Sequence, residues 1–346
     1  MSNKSLYTLY ATEFTKDTPK PKIIPPTVEI DLTNSCNQDC IYCCSASFRK
    51  DNPSSAKFEH FTKLLDELSN WTLSNAKGGL VSVVFVGGGE PTLFKNYEQL
   101  IKYSIDKGFL TSLITNGTKL DKLLNIGSEY IKKMQWIGVD IDSANNDMYN
   151  LVRMPKTDGQ FEKVKDNIKL IVSAGGKVDI KALILDETDN KQNILQLFEY
   201  TKETKAHMLY IRSAVLEKGR ADAYVIKKSL MEYIEKLGGI FNINFRATQR
   251  DAMDTRSYSK CHALYLLPIF CADGYIYLCC ENRGNKDLSI GSWITEDWQE
   301  KWCNSEHNKI YNEFDISKCP ACRPNLHNTN IQQVIDNPLM LQELFF

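Results

Sequence analysis

The chain has 346 residues, 42% hydrophobic and 25% charged, with a formal net charge of -1 at pH 7. Those values fit an ordinary globular protein with one large domain and a smaller one, and the balanced charge disfavours nucleic acid and other polyanions as partners. The start, Met1-Ser2-Asn3-Lys4-Ser5-Leu6-Tyr7, lacks the apolar stretch of a secretory signal, and no apolar run is long enough to span a bilayer, so a cytoplasmic protein without membrane contact is expected.

Residues 1–26 are polar, end in Lys20-Pro21-Lys22-Ile23-Ile24-Pro25-Pro26 and read as an extended arm. From there to about Arg246, strand-like and helix-like stretches alternate. The strands are predicted at Thr27–Leu32, Leu80–Val86, Leu110–Thr115, Trp136–Ile141, Val178–Leu185 and Met208–Ile211. Helices are predicted at Phe61–Leu73, Tyr97–Lys107, Phe161–Ser173, Ile194–Thr204 and Tyr224–Leu237, the last ending at Gly238-Gly239. Such alternation predicts an α/β fold with a parallel sheet, doubly wound or closed as a barrel, with function at the carboxyl ends of the strands. Beyond about Thr248 the pattern fades, and Phe270–Ala272 and Tyr275–Leu278 flank Asp273-Gly274, a hairpin signal. The predicted division is an extension at 1–26, a main domain at 27–250, a metal-organised module at 255–328 and a helical tail at 329–346.

Eleven cysteines without a signal peptide argue for metal ligands over disulfides. Cys36, Cys40 and Cys43 form a CxxxCxxC run directly after the first strand. Three soft thiolates on one loop suit an iron–sulfur cluster with one iron left open, zinc being the alternative. Tyr42 is an aromatic placed to cover a cofactor. Gly87-Gly88-Gly89-Glu90-Pro91 ends the second strand, and glycines there would allow close backbone approach to a ligand.

The cysteine run with Tyr42 and the Gly88-Gly89-Glu90-Pro91 motif, after successive strands, resemble the radical S-adenosylmethionine (SAM) superfamily over roughly residues 27–250. The resemblance implies a partial six-stranded (β/α) barrel of TIM type and a 4Fe-4S cluster held by Cys36, Cys40 and Cys43. It further implies that SAM chelates the open iron and is reductively cleaved to a 5′-deoxyadenosyl radical that takes a substrate hydrogen. An electron donor such as flavodoxin or ferredoxin goes with that chemistry. Gly88, Gly89, Glu90 and Pro91 would hold the methionine end of SAM. Asn116, Asp140 and Asp142 stand where the family contacts the ribose, with turn and cap chemistry as the ordinary alternative. Lys181 and Arg212 would hold the SAM carboxylate or an anionic substrate group, or form solvent-facing ion pairs.

The second motif is Cys261, Gly274 and Cys279 followed by Cys319-Pro320-Ala321-Cys322. It resembles the auxiliary-cluster domains called SPASM and, in shorter form, twitch. No cysteine follows Cys322, so the resemblance implies a twitch-type module, a β-hairpin with loops and a helix. Its second 4Fe-4S cluster would sit on Cys261, Cys279, Cys319 and Cys322, with Cys280 as a substitute for Cys279. A four-cysteine zinc knuckle is the alternative. Cys44, Cys271 and Cys303 are small buried residues or hydrogen-atom donors to a product radical. His262 and His327 are expected to pack, and Arg323-Pro324-Asn325 to close the module or reach the substrate.

A four-thiolate auxiliary cluster suits electron acceptance, and the first functional expectation is therefore oxidation of a sugar-like or other polar small molecule. The second is peptide modification by an epimerase or cross-linking maturase, against which only 35 residues precede Cys36, too few for a leader-recognition domain. The third is a non-catalytic, zinc-stapled binding protein.

Overall fold

A computed structural model describes residues 3–15, 21–215, 224–248, 256–319 and 322–337. Its main sheet has ten strands: β1 (Thr27–Asp31), β2 (Ser82–Val86), β3 (Leu110–Thr115), β4 (Trp136–Asp140), β5 (Val178–Ile184), β6 (Met208–Ser213), β7 (Phe245–Thr248), β8 (Ile269–Phe270), β9 (Tyr275–Tyr277) and β10 (Ser289–Ser292). Their order is β10-β9-β8-β1-β2-β3-β4-β5-β6-β7. The seven strands from β1 to β7 are parallel, the partial barrel, while the β8–β9 and β9–β10 pairs are antiparallel. β7 adds a seventh barrel strand to the six expected. β8 pairs in parallel with β1, Ile269 against Glu29, so the module continues the barrel's own sheet.

Strand residues alternate between two environments, as a pleated sheet requires. Val28, Ile30, Val83, Phe85, Leu113, Ile137, Val139, Ile180, Ala182, Leu209 and Ile211 are buried in the main core. That core is shared with the helices Phe58–Ser69, Tyr97–Asp106, Gln160–Ser173 and Lys191–Thr204. The intervening residues, including Glu29, Asp31, Asp140, Lys181 and Arg212, belong to the opposite, inner face.

Two sequence expectations change. The N-terminal arm is a helix, Asn3–Phe14, not an extended segment. Tyr7, Tyr10, Ala11 and Phe14 make a helical stripe that the polar average of residues 1–26 concealed. The stripe packs on the C-terminal helix Asn325–Asp336 and its neighbours, with Tyr7 Oη 2.8 Å from His327 Nδ1 and the Phe14 ring 4.5 Å from His262. The second change is the helix Lys228–Phe241, which runs through Gly238-Gly239 and stops at Asn242, in the left-handed region at φ 51°. Gly238 is there for packing: a Cβ would sit 2.0 Å from Phe245 Cε1. Among the described residues no helix is long and apolar enough to cross a membrane. The 250–255 boundary and residues 338–346 of the expected tail lie outside the described residues.

Candidate functional site

A cavity of about 220 Å3 opens at the carboxyl ends of the barrel strands. Cys36, Cys40 and Cys43 line it, with Tyr42, Gly87–Pro91, Asn116, Asp140 and Arg212. Glu281, Arg283 and Arg323 complete it from the module.

The cysteine loop and the glycine run are built against each other. Gly89 N donates to Thr33 O at 2.9 Å and Glu90 N to Ser35 O at 2.8 Å. A Cβ on Gly89 would lie 2.1 Å from Ser35 O, and one on Gly88 2.5 Å from Asn34 Oδ1. The glycines therefore admit the neighbouring loop at backbone contact as well as lining the cavity. Cys43 N donates to Cys40 O at 3.0 Å, turning the loop so that the thiols share the cavity wall. Burial pushes all three thiols up. A bound metal would reverse that, because coordination deprotonates a thiol outright. Three soft sulfurs on one wall fit a cluster's donor chemistry. Among the described residues no three Cys, His, Asp or Glu side chains converge on a single-ion position.

Glu90 is buried, and burial raises its carboxyl. Its Oε1 accepts from Thr92 N, Thr92 Oγ1 and Thr115 Oγ1 at 3.0, 2.6 and 2.6 Å, and its Oε2 from Asn116 N at 2.7 Å. The carboxylate thus ties the second and third strand ends together and keeps Oε2 acceptor capacity toward the cavity. Asn116 donates to Asn37 Oδ1 at 2.8 Å and accepts from Thr118, which sets the turn after β3.

Asp142 departs from its expected place. It does not line the cavity; it is fully buried, in the left-handed region at φ 58°, and its Oδ2 accepts from Tyr42 Oη and, at 2.9 Å, from Arg153 Nη1. Arg153 also donates to Tyr42 Oη at 2.6 Å and through Nε to Gln38 Oε1 at 3.0 Å. Asp142 accepts from Leu183 N at 2.8 Å as well, so it locks Tyr42 and the cysteine loop to β5. Gln38 and Arg153 line the cavity and escaped the sequence reading. Arg153 ends the helix Asn146–Arg153 without any motif, and only tertiary packing brings it to the loop.

Asp140 does line the cavity, and burial raises its carboxyl. Lys181 is absent from the lining. Its Nζ lies 4.5 Å over the Trp136 ring, and its chain crosses Gly138, where a Cβ would meet Cε at 2.4 Å. Burial pulls its ammonium down to about 8, Asp140 opposing that and Arg212 and Arg323 adding to it.

In the module, Cys261 is buried, and burial pushes its thiol up to about 12, with Cys322 and Cys319 adding to the rise. Burial pushes Cys319 up to about 11 and also raises Cys322, on which Cys280 bears as well. Cys279 packs against the main core, of which Cys261 is also part, and its side chain meets that of Cys280, which lies in a second cluster with Phe48 and Tyr277. These cysteines form one neighbourhood, a donor set that suits a four-thiolate group. Pro320 and Ala321 of the CxxC lie outside the described residues. Among the three thiol candidates Cys44 lines the cavity. Cys271 is instead buried beside Asp31, its Sγ 3.3 Å from Oδ2, and Cys303 is buried with its Sγ 3.7 Å from Ile23 O, next to Trp302 and His307. His262 packs between Gln332 and Tyr311, as expected. Arg323 reaches the cavity, 3.1 Å from Glu281 and 3.5 Å from Glu29. Arg283, unforeseen because it lies in no motif, pairs with Asp31 at 2.8 Å.

Residues 30–198 match the radical SAM superfamily, a span that begins just before the cysteine loop and takes in the glycine turn and Asp140. The chain carries a radical SAM domain. The fold and the motif order agree with that match, and SAM with a SAM-binding 4Fe-4S cluster are the cofactors that go with it. The chain is 31% identical over 121 residues to the S-adenosylmethionine-dependent nucleotide dehydratase of Selenomonas ruminantium, covering 34% of this chain and 39% of that protein. The matched stretch thus spans well under half of that relative's length. Among solved structures, Streptococcus suis SuiB bound to precursor peptide SuiA superposes with a TM-score of 0.63 at 17% identity, over 84% of this chain and 67% of that one. The peptide- and AdoMet-bound anSMEcpe superposes with a TM-score of 0.59 at 16% identity, over 93% and 99%. At 84% and 93% of this chain both likenesses take in more than the barrel, and the C-terminal antiparallel hairpins resemble the SPASM/twitch fold.

Proposed function

We propose that this radical SAM enzyme modifies a peptide held at the barrel mouth, with Cys36, Cys40 and Cys43 as ligands of the SAM-binding cluster. Cys261, Cys279, Cys319 and Cys322 are the proposed ligands of a second, auxiliary 4Fe-4S cluster. The observation that carries this is the shared cavity: three thiols and the Gly87–Glu90 turn on one side, module residues Glu281, Arg283 and Arg323 on the other. Held by these residues, a cluster with SAM would supply the chemistry of hydrogen-atom abstraction from an unactivated carbon.

The protein's own part is placement and exclusion of water. Glu90 and the peptide groups of Gly88 and Gly89 receive the methionine end, with Glu90 Oε2 the acceptor. Tyr42, fixed by Asp142 and Arg153, orders the cysteine loop. Asn116 and Asp140 stand beside the ribose position. The pairs Arg283–Asp31 and Arg323–Glu29 draw the module over the mouth and shield it.

Peptide modification is favoured over small-molecule oxidation because SuiB and anSMEcpe, which superpose over most of the chain, have each been captured with a peptide. The small-molecule reading has support of its own in the similarity to a nucleotide dehydratase. The proposed parts are 1–26, 27–250, 255–328 and 329–346, and the proposed partner is a flavodoxin or ferredoxin in the cytoplasm. Anaerobic reconstitution should give about eight irons per chain and formation of 5′-deoxyadenosine, lost in Cys36→Ala. Zinc without iron would sink the reading. Product mass then separates the two substrates: loss of two hydrogens on a small molecule supports oxidation, whereas deuterium uptake or cross-linking on a peptide supports the maturase.

A further inference from the structure

The cavity's arginines are not alike. Arg153 pairs with Asp142 at 2.9 Å, Arg283 with Asp31 at 2.8 Å, Arg323 with Glu281 at 3.1 Å, and Arg49 lies 3.9 Å from Asp39. Arg212, at the end of β6, has no ion pair among the described residues, and its Nε is buried with no hydrogen-bond partner. A buried donor left without an acceptor carries an unrecovered desolvation cost, so the side chain is held there at a penalty that an acceptor would remove. Tyr210 supports the guanidinium from one side, 5.6 Å from ring centroid to Cζ. Arg212 and Arg323 both stand near enough to Lys181 for their charges to oppose its own, with Asp140 the nearby carboxylate. This corner of the cavity carries positive charge that the protein does not fully neutralise.

We infer that Arg212 is the docking point for an oxyanion, a carboxylate or phosphate, on the substrate. The inference rests on the proposed radical SAM function and names the substrate's charged group. The occupant we infer is an anion other than the carboxylate of SAM. An α-amino acid that chelates an iron at the cysteine loop keeps its carboxylate beside that iron. The cysteine loop follows β1 and the glycine turn follows β2, while β6 stands four strands beyond β2 in the sheet order. Arg212 thus reaches the cavity from a part of the barrel wall remote in strand order from the cysteine loop, which leaves room for a second anion beside the SAM carboxylate. The guanidinium fork suits planar oxyanions that accept two hydrogen bonds.

The test is calorimetric titration of cluster-reconstituted, SAM-loaded protein with three probes: N-acetylglutamate N-methylamide, its glutamine counterpart, and inorganic phosphate. The glutamate probe or phosphate should bind and the glutamine probe should not. Whichever anion binds more tightly names the source, a peptide side chain or a phosphorylated small molecule. Arg212→Gln should weaken that binding by about 10-fold or more, and Arg212→Lys should recover part of it. Saturating SAM should leave anion binding to the wild type intact. Failure of both anions to bind, equal binding of the glutamine probe, displacement by SAM, or unchanged affinity in a folded Arg212→Gln protein would each overturn the inference. A wild-type protein that binds the anion yet forms no 5′-deoxyadenosine would instead overturn the radical SAM reading while leaving the anion site standing.

Discussion

Lys181 offers a prediction whose size follows from its surroundings. Its ammonium lies over Trp136 and across Gly138, facing Asp140, Asp179, Arg212 and Arg323, and burial brings it down to about 8 from an ordinary 10.5. Below pH 8 the lysine is protonated in both folded and unfolded chains, and the native state carries the whole cost of the buried charge. Between pH 8 and 10.5 the unfolded chain holds a proton that the native chain has released, so stability rises with pH; above 10.5 the cost is gone. Holding the midpoint near 8 corresponds to roughly 3 kcal/mol. Lys181→Met keeps the volume and removes the charge. It should be more stable than wild type at pH 7 by up to about 3 kcal/mol, less about 1–2 kcal/mol for the lost contact with the Trp136 face. The gap should narrow steadily as the pH approaches 10.5. Urea unfolding of both proteins by far-UV circular dichroism at pH 7, 8, 9 and 10 measures it. A gap that does not change with pH would refute the reasoning.

Arg153→Met strands the buried Asp142 carboxylate and should cost about 3–5 kcal/mol; Arg153→Met with Asp142→Asn, which removes the charge and keeps an acceptor, should restore part of it, read in the same unfolding assay. Gly89→Ala forces its Cβ against Ser35 O, 2.1 Å away, and should sharply lower iron incorporation at the N-terminal loop, checked by iron quantification against wild type. Cys303→Ala, buried away from the cavity, should retain wild-type 5′-deoxyadenosine formation. Loss of that product without loss of secondary structure would return Cys303 to the chemistry.

The barrel was legible because its signals are local. The β-branched run Leu80–Val86 and the strand–helix spacing survive in the linear chain, and the cysteine and GGEP motifs are short enough to read without contacts. What escaped was set by tertiary packing. The polar residues of the N-terminal segment hid the stripe Tyr7, Tyr10, Ala11 and Phe14, which matters only against the C-terminal helix. Gly238 reads as a helix stop until Phe245 is seen to need its missing Cβ. Asp142 and Asp140 are two residues apart and look interchangeable. Their backbones differ, however: Asp142 sits at φ 58° and turns into the Arg153–Tyr42 network, while Asp140 ends β4 facing the cavity. Gln38, Arg153 and Arg283 carry no sequence signal at all, since each earns its place through a partner far along the chain.

The register of β8 argues that the module is a condition for the barrel and not an attachment to it. Ile269 and Phe270 pair with Glu29 and Ile30, and β1 leads directly into the cysteine loop. The inner face of β1 carries Glu29 and Asp31, and Asp31 is fully buried. Their cationic partners, Arg283 and Arg323, both come from the module, at 2.8 Å for Arg283–Asp31 and 3.5 Å for Arg323–Glu29. Without the module, β1 would keep a carboxylate in the barrel wall with its countercharge removed and its edge unpaired. An unpaired buried charge costs several kcal/mol, a large share of the roughly 5–15 kcal/mol that holds a typical domain. Arg283→Met, which leaves the module's hairpin and cysteines in place, should therefore destabilise the barrel by about 3–5 kcal/mol. It should also loosen the N-terminal cysteine loop, read as faster amide hydrogen exchange across residues 31–45. Asp31→Asn in the same background should recover part of the loss. Exchange that speeds up in the module alone would show that the ion pair serves only the module, and the argument from β1 would fall.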